Sequence, residues 1–497
     1  MILEIAVSLL AVIGFGLVLW KSRIVGVSRQ AVATTMSGLS TMMDRELDDD
    51  AKEIAVRRAG FALIGAAFSI ALRFALALGA AALPILAADA VGLVDGDDVL
   101  SLMLRLDYIV IVSVVLIAGG EGVRRWRGRS VAAAGGADAA AATVTYSPLE
   151  RFVHGLAFSS PALMKGAARI EDRFMPVAAA GTPGPPIFVT SLARGGTTAV
   201  LNALSTLPGI ATHTYRDMPF LTAPMLWDRL AGGKKRRVET RDRAHGDGLS
   251  IGLDSPEAFE EVIWQLFWPE KYCEDRIALW TEADGKAEAE TFFARHMARI
   301  RQARLGAEAG PGARYCSKNN ANIARLPYLA EAFPGCRIVI PLRQPLAHAA
   351  SLHRQHRNFT ALQGEDDFIR RYMRDIGHFE FGLNYRPLAF PGLDPARYDP
   401  AGLDHWVDYW LHAFRAVEAR LDAGQDLILV TQDGLRSQPV ETMQVLGERL
   451  GVAGVGPELA RHFLSTPDRI SEEGVDTSLR EEAAVLYDRL AARALQP

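Results

Sequence analysis

Long apolar runs dominate the first part of the chain and alternate with polar, basic segments. The runs cover residues 2–20, 59–94 and 108–120, and the third borrows apolar residues from 100–106. A helix of about 20 apolar residues crosses the ~30 Å hydrocarbon core of a bilayer. The pattern therefore predicts an N-terminal α-helical transmembrane region with three crossings. Arg73 interrupts the second run, and we expect it to face a helix partner, the interface or an interior surface, because a charge in lipid is costly.

Charged residues beside the apolar runs predict the topology. Lys and Arg are abundant in the loop over 21–58 and again after the third run, whereas the segment between the second and third runs carries Asp95, Asp97 and Asp98. Short cytoplasmic loops are the ones enriched in Lys and Arg. We therefore expect a multi-pass protein of the inner or plasma membrane, with its N-terminus outside and everything after Arg124 in the cytoplasm. Loss of the short third crossing would instead place the large domain outside.

The chain is too long for a single hydrophobic core. It has 497 residues, which exceeds the usual size of one domain. A tract rich in Ala and Gly follows the apolar runs, and its lack of hydrophobic periodicity is typical of a linker. The predicted division is a transmembrane helix at 1–22, a cytoplasmic loop at 23–58, transmembrane helices two and three at 59–129, a linker at 130–145 and a catalytic domain at 146–497.

Overall charge and cysteine content exclude some classes of protein. The net charge of −4 is not that of a nucleic-acid binder, which carries a basic domain or stripe. A basic run at 234–237 is the exception, and we interpret it as a solvated loop or, alternatively, as a contact for an anionic substrate or lipid headgroup. Cys273, Cys316 and Cys336 form no CxxC pair, so we expect reduced thiols and no metal site.

A strand, a glycine turn and a helix follow one another near the start of the large domain. Residues 187–191 are mostly apolar and favour a β-strand, and they follow a segment rich in Pro and Gly. Apolar residues over 199–207 recur with the spacing of a helix. Backbone N–H groups of such a turn, together with the positive end of the helix, form a cradle for an anion. A plain strand-to-helix turn is the alternative, and no Lys-containing Walker loop occurs here. The predicted anion ligands are Arg194, Gly195, Gly196, Thr197 and Thr198.

The turn resembles the 5′-phosphosulfate loop of the sulfotransferase superfamily. A second motif supports the resemblance: an apolar strand over 336–342 is followed by Arg343, with Ser351 eight positions later. In the family such a pair binds the 3′-phosphate, and we expect the two strand ends to converge. Gln344 stands where the family usually has Asp or Asn. The resemblance implies 3′-phosphoadenylyl sulfate (PAPS) as sulfuryl donor, no metal, and an acceptor hydroxyl.

Flanking segments extend the resemblance to about residues 186–452. Lys318 begins a Lys-Asn-Asn-Ala-Asn segment similar to one in bacterial members, and Arg194 and Lys318 are candidates for stabilising the leaving phosphate. The late strand over 427–435 departs from the usual Tyr-Glu-Asp-Leu, and the adenine-binding loop is not recognisable. The implied fold is α/β, a P-loop-type, mostly parallel sheet flanked by helices, with the donor phosphates outside the carboxyl ends of the strands.

No residue matches the family's general base outright. Asp217 is the first candidate, although Arg216 beside it could form an ion pair that leaves Asp217 a weak base. His245 is the second candidate for base or substrate contact, and His213 is the third.

Other conspicuous residues receive structural interpretations. The aromatic pairs Trp264/Trp268 and Trp406/Trp410 have core spacing. Ser255 followed by Pro256 predicts the start of a helix. We expect the histidines of the helix after Arg343 to lie on its surface: His348, His353 and His356.

Two other function classes stay open. A nucleotide-dependent kinase or NTPase of the same fold would need a Walker lysine and a Mg²⁺-binding carboxylate, and the sequence displays neither. A catalytically inactive nucleotide-binding membrane scaffold would fit the unassigned base. The acceptor is expected to be a small molecule, a lipid or a glycan at the membrane, and the sequence indicates no oligomeric state.

Overall fold

The structure is a computed structural model, and it divides the chain into two compact units, Met1–Ala132 and Ala133–Pro497. It describes residues 2–22, 49–104, 108, 112, 148–177, 183–230, 241–242, 250–251, 254–463 and 475–497. The predicted linker, most of the first polar loop, nearly all of the third apolar run, the basic run at 234–237 and His245 lie outside the described residues.

The N-terminal unit consists of helices in its described part. They are α1 Ile2–Lys21, α2 Asp49–Ala90 and α3 Gly96–Leu104. Among the described residues, the stretch Phe68–Ala90 within α2 is long and apolar enough to cross a membrane, whereas the apolar part of α1, Leu3–Leu19, is shorter. One candidate span does not support the predicted multi-pass topology.

Small side chains pack α1 against α2. Ala11 and Ala77 are completely buried, and Val7 and Ile85 belong to the same apolar cluster. Arg73 takes one of its expected placements, because its Nε donates to the Ser22 carbonyl at the end of α1 over 3.1 Å. The Arg73 guanidinium thus binds a backbone oxygen at the end of the neighbouring helix, which offsets the cost of a charge in an apolar helix.

A parallel sheet forms the centre of the second unit, which confirms the predicted α/β fold. Its strand order is β2-β5-β1-β6-β7, and every pair in it is parallel. The carboxyl ends of all five strands therefore lie along one edge. The strands are β1 Ile187–Val189, β2 Ile210–Ala211, β5 Arg314–Lys318, β6 Arg337–Leu342 and β7 Leu427–Thr431, while β3 Arg241–Asp242 and β4 Ser250–Ile251 form a separate antiparallel pair.

Helices cover both faces of the sheet. Successive strand residues point to opposite faces, and accordingly Phe188 and Ile338 belong to one buried cluster while Val189 and Val339 belong to another. The helices are α4 Pro148–Ala157, α5 Pro161–Phe174, α6 Thr197–Ser205, α7 Pro224–Leu230, α8 Glu261–Phe267, α9 Ala287–Leu305, α10 Leu326–Ala332, α11 Pro345–Glu365, α12 Asp367–Asp375, α13 Leu403–Asp422, α14 Gln432–Ser437, α15 Pro439–Leu450 and α16 Thr477–Ala491.

The aromatic pairs are part of the core, as predicted. Trp264, Trp268, Trp406 and Trp410 are fully buried in the larger apolar cluster. Their i, i+4 spacing places each pair on the buried face of one helix.

The predicted helix start at Ser255 is wrong. Glu257 N donates to the His213 carbonyl over 3.1 Å, and Tyr215 N donates to the Ser255 carbonyl over 3.3 Å. These bonds hold the segment extended, so the helix begins only at Glu261. Pairing between distant parts of the chain overrides the local capping signal.

Candidate active site

The glycine turn lies between β1 and α6 and has a strained, tightly packed backbone. Arg194 and Gly196 both have positive φ values, 68° and 101°. A Cβ atom at Gly195 would lie 2.6 Å from Ser191 Oγ, so the turn requires glycine there. Thr197 and Thr198 are the first residues of α6, and their backbone amides belong to the positive end of that helix. The local geometry is that of an anion cradle.

The second predicted motif meets this turn at the same edge of the sheet. β6 is the neighbour of β1, and Arg343 directly follows it. Arg343 Nη1 donates to the Arg194 carbonyl over 2.8 Å. Arg194 Nε in turn donates to Ser351 Oγ on α11 over 3.4 Å. The two motifs therefore converge, although about 150 residues separate them in the sequence.

Positive charge accumulates where the motifs meet. Burial, followed by the nearby Arg436, Arg194 and Arg354, lowers the pKa of Arg343 to about 10, against the opposing effect of Asp433. Four guanidinium groups thus act on one small region. Such an arrangement suits a ligand with more than one phosphate group. Arg354 and Arg436 were not predicted, because each approaches Arg343 from a different helix.

His348 supports the turn from behind, so its predicted place on the helix surface is wrong. The ring is completely buried, and its Nε2 donates to the Ala193 carbonyl over 2.8 Å. Burial first, and then Arg343, lower the pKa of His348 to about 3. A neutral imidazole is the form that fits beside the arginines. His353 and His356 are half-buried on the same helix.

Lys318 ends β5 at the same edge. It is paired in register with Val189, the last residue of β1. Its side chain is buried, with Nζ 3.7 Å from Glu257 Oε1. Glu257 Oε2 accepts a hydrogen bond from the Tyr215 hydroxyl over 2.7 Å. The lysine is therefore held beside the turn by a buried carboxylate.

A chain of hydrogen bonds runs from α6 to a His–Glu pair. Thr197 Oγ1 donates to Asn320 Oδ1 over 3.1 Å, and Asn320 Nδ2 donates to Glu380 Oε1 over 3.1 Å. Glu380 Oε2 lies 3.2 Å from His378 Nδ1. Burial alone would raise the pKa of Glu380, but His378 and the Asn320 amide lower it to about 2. Glu380 is thus a permanent carboxylate that orients the imidazole.

Glu261 contacts both the loop that follows Lys318 and the loop that precedes His378. Asn319 Nδ2 donates to Glu261 Oε2 over 2.7 Å, beside Lys318 in the sequence. Arg325 donates from both terminal nitrogens to the same carboxylate over 2.7 and 2.8 Å. Gly377, with φ 83°, packs so closely that a Cβ would lie 2.4 Å from Glu261 Cγ. One buried acid therefore contacts the loop after β5 and the loop before His378.

The structure gives Asp217 a different role from the predicted one. Its buried carboxylate accepts from Arg304, from the Thr214 amide over 3.0 Å and from His213 Nδ1 over 3.1 Å. Burial would raise the pKa of Asp217, but Arg304 and His213 lower it to about 2. A carboxylate so acidic and so fully bonded is a poor general base.

His213, the third candidate, and Arg216 also bind other side chains in the structure. His213 Nε2 lies 3.0 Å from His296 Nε2, so both of its ring nitrogens take part in the buried network. Arg216 pairs with Asp254 and Asp228 rather than with its neighbour Asp217.

The sequence did not single out His378 and Glu380. Their i, i+2 spacing in a loop is a weak signal, and only the bonds through Asn320 connect them to the turn. Among the described residues, no group of three or more His, Cys, Asp or Glu side chains is arranged to hold a metal ion.

The chain is similar to several solved sulfotransferases at low sequence identity. The solved sulfotransferase STF1 from Mycobacterium tuberculosis is 14% identical, with TM-score 0.38 and coverage of 68% of this chain and 86% of its own. Sulfotransferase STF9 from Mycobacterium avium is 14% identical, with TM-score 0.38 and coverage of 71% and 86%. A sulfotransferase from Alicyclobacillus acidocaldarius is 16% identical, with TM-score 0.28 and coverage of 62% and 93%. No curated protein sequence matches the chain.

The family assignment rests on the sequence profile. The profile of the Sulfotransferase family matches residues 185–455, more than half of the chain. The matched region begins just before β1 and ends after β7, so it contains the glycine turn, Lys318, Arg343 and Ser351. The chain belongs to the sulfotransferase family.

Proposed function

We propose that this protein transfers a sulfuryl group from PAPS to an acceptor hydroxyl. The observation that carries the proposal is the direct contact between the two phosphate motifs. Arg194 of the turn donates to Ser351 and accepts a hydrogen bond from Arg343. The amides of the turn would hold the 5′-phosphosulfate, and Arg343 with Ser351 would hold the 3′-phosphate. The donor fits the residues present, because a Cβ at Gly195 would lie only 3.0 Å from the Leu192 carbonyl oxygen and because the charges of Arg194, Arg354 and Arg436 act on Arg343.

Charge stabilisation is the main task of the residues on the donor side. Bound PAPS supplies an activated sulfuryl group on a phosphate leaving group. Arg194 and Lys318 would stabilise the negative charge that grows on the bridging oxygen, as preorganised cations do in related in-line transfers. Glu257, 3.7 Å from Lys318 Nζ, would keep the lysine charged and oriented.

His378 is our candidate for the general base, in place of Asp217. Glu380 contacts His378 Nδ1, and the imidazole would take the acceptor proton at Nε2. The His378 side chain is 18% exposed, so an acceptor can approach it, whereas Asp217 is completely buried. The hydrogen bonds through Asn320 place this pair next to α6.

The proposed acceptor is a lipid or glycan at a membrane. Phe68–Ala90 has the length and composition of a span, and large apolar side chains such as Leu78, Leu83 and Leu86 are exposed in the N-terminal unit. The distribution of Lys and Arg favours a cytoplasmic catalytic domain. Retention of the protein in membranes after carbonate extraction is the expected result; release into the soluble fraction would contradict the anchor.

Ligand preference tests the proposed chemistry. The full chain in detergent should bind adenosine 3′,5′-bisphosphate at least about tenfold more tightly than ATP, because Arg343 and Ser351 recognise the 3′-phosphate. Radiolabelled PAPS should then transfer sulfate into a bacterial membrane extract. Preference for ATP would support a kinase or NTPase instead. Binding of the bisphosphate without any transfer would support a catalytically inactive scaffold.

A further inference from the structure

An open cavity of about 450 Å³ lies in the second unit, beside α12. Arginines dominate its wall: Arg370, Arg371, Arg374 and Arg386. The carboxylates that line it, Glu274 and Asp367, are fewer, so positive charge is in excess. The volume is sufficient for a phosphorylated headgroup or a sugar phosphate.

The fold of α12 directs its arginines outward. Tyr372 and Phe368 pack around the His154 ring of α4, on the inner side of the helix. Arg370 and Arg374 are exposed on the other side, and Arg371 is exposed next to Gly155 of α4. Asp375 at the helix end offsets part of this charge, since its carboxylate lies 3.5 Å from Arg371 and 3.8 Å from Arg374 and also contacts His154.

The cavity wall is held in place by polar contacts with the neighbouring loop. Asn384 Nδ2 donates to the Arg370 carbonyl over 2.7 Å, and Arg370 Nε lies 3.4 Å from Asn384 Oδ1. The Arg386 guanidinium lies over the Phe379 ring, 4.7 Å from its centroid. Two of the four arginines are therefore positioned by specific neighbours.

Backbone hydrogen bonds connect this wall to the segment of the proposed general base. Arg386 N donates to the Phe379 carbonyl over 2.9 Å, and Phe379 stands between His378 and Glu380 in the sequence. His378 N donates to the Met373 carbonyl of α12 over 2.8 Å. The arginine wall and His378 therefore belong to neighbouring, directly bonded parts of the chain.

We propose that the cavity binds an anionic group of the acceptor, a phosphate monoester or diester carried by the same molecule whose hydroxyl reaches His378. The proposal rests on the proposed sulfuryl transfer. Guanidinium groups bind phosphate oxygens in pairs and remain charged at all relevant pH values. A phospholipid headgroup and a soluble sugar or glycerol phosphate share this chemistry.

Hydrogen exchange of the segment 367–386 tests the cavity. The full chain, saturated with adenosine 3′,5′-bisphosphate, would be titrated in neutral detergent with phosphatidylglycerol, with glycerol 3-phosphate or with phosphatidylcholine. We expect saturable protection of this segment by phosphatidylglycerol and none by the zwitterionic lipid. Protection by phosphatidylglycerol alone identifies a lipid headgroup as the ligand, and equal protection by glycerol 3-phosphate identifies the phosphate itself.

Paired substitutions decide whether the arginines are responsible. The double variant Arg370→Ala/Arg374→Ala should need about tenfold more anionic ligand for half-maximal protection. The matched control, Arg415→Ala/Arg489→Ala, removes two exposed arginines from other helices and should behave like the wild type. Absence of protection in every arm, or unchanged protection in the first variant, would overturn the proposal. Binding of the bisphosphate, measured in the same samples, tests the sulfotransferase assignment separately.

Discussion

The proposed donor side and the proposed acceptor side of this protein are built in different ways. On the donor side, the adjacent parallel strands β5, β1 and β6 end together and deliver Lys318, the glycine turn and Arg343 to one edge. On the acceptor side, His378 and the arginine cavity belong to a helix and a loop outside the sheet. Strand pairing thus positions the residues of the proposed donor side, whereas the proposed acceptor side depends on a loop, the kind of segment that varies most easily.

The charged residues of the proposed donor side are also more deeply buried than those of the proposed acceptor side. Arg343 is 6% exposed, while the Arg374 side chain is 56% exposed. A buried charge interacts more strongly with its neighbours than a solvated charge does. Its removal therefore costs more interaction free energy. Substitutions on the donor side should therefore have the larger effects, and three predictions test this order.

The largest effect is expected from Arg194→Ala. Arg194 belongs to the turn and its side chain contacts Ser351, so its loss should lower kcat/KM at least about 10³-fold, the scale of a lost arginine in related group transfers. Arg343→Ala should mainly raise the Kd for adenosine 3′,5′-bisphosphate. Sulfate transfer and equilibrium binding measure the two effects. Arg415→Ala serves as the control, and wild-type activity in both donor-side variants would refute the assignment.

A smaller effect is expected from His378→Gln. Loss of a general base should lower kcat about 10²- to 10³-fold, while the Kd for the bisphosphate stays close to that of the wild type. Sulfate transfer and equilibrium binding of the bisphosphate measure the two quantities. An unchanged kcat, or an equal loss of donor binding, would show that His378 is structural.

The smallest catalytic effect is expected from Asp217→Asn, which should instead lower stability. Removing one partner of a buried ion pair costs roughly 3 kcal/mol. The pKa of Asp217 lies at about 2, below its usual value near ~3.9, so the contribution is complete above the usual value and is lost as pH falls toward 2. Urea unfolding in detergent should show a gap between variant and wild type that narrows in this range.

Transfer activity provides the complementary test of Asp217. At a temperature where the variant is folded, kcat should change less than in His378→Gln. A fall in kcat as large as that of the histidine variant would restore Asp217 as the base.

The sequence was informative where chemistry and local structure coincide. The strand, the glycine turn and the helix are contiguous, and Arg343 and Ser351 lie on one strand end and the following helix, so the convergence of the two motifs could be predicted. The surroundings of Asp217 could not be predicted, because Arg304, which lowers the pKa of that carboxyl, lies 87 residues away. His378 likewise gains its place only through Asn320.

The single carboxylate of Glu261 has a consequence for substrate binding. It bonds to Asn319 next to the donor-side lysine and touches Gly377 next to the acceptor-side histidine. A small displacement at either loop would be transmitted to the other through this rigid contact, since a packed core does not deform gradually. We expect the two substrates to bind cooperatively, with an acceptor KM that depends on donor concentration; a constant KM would exclude such coupling.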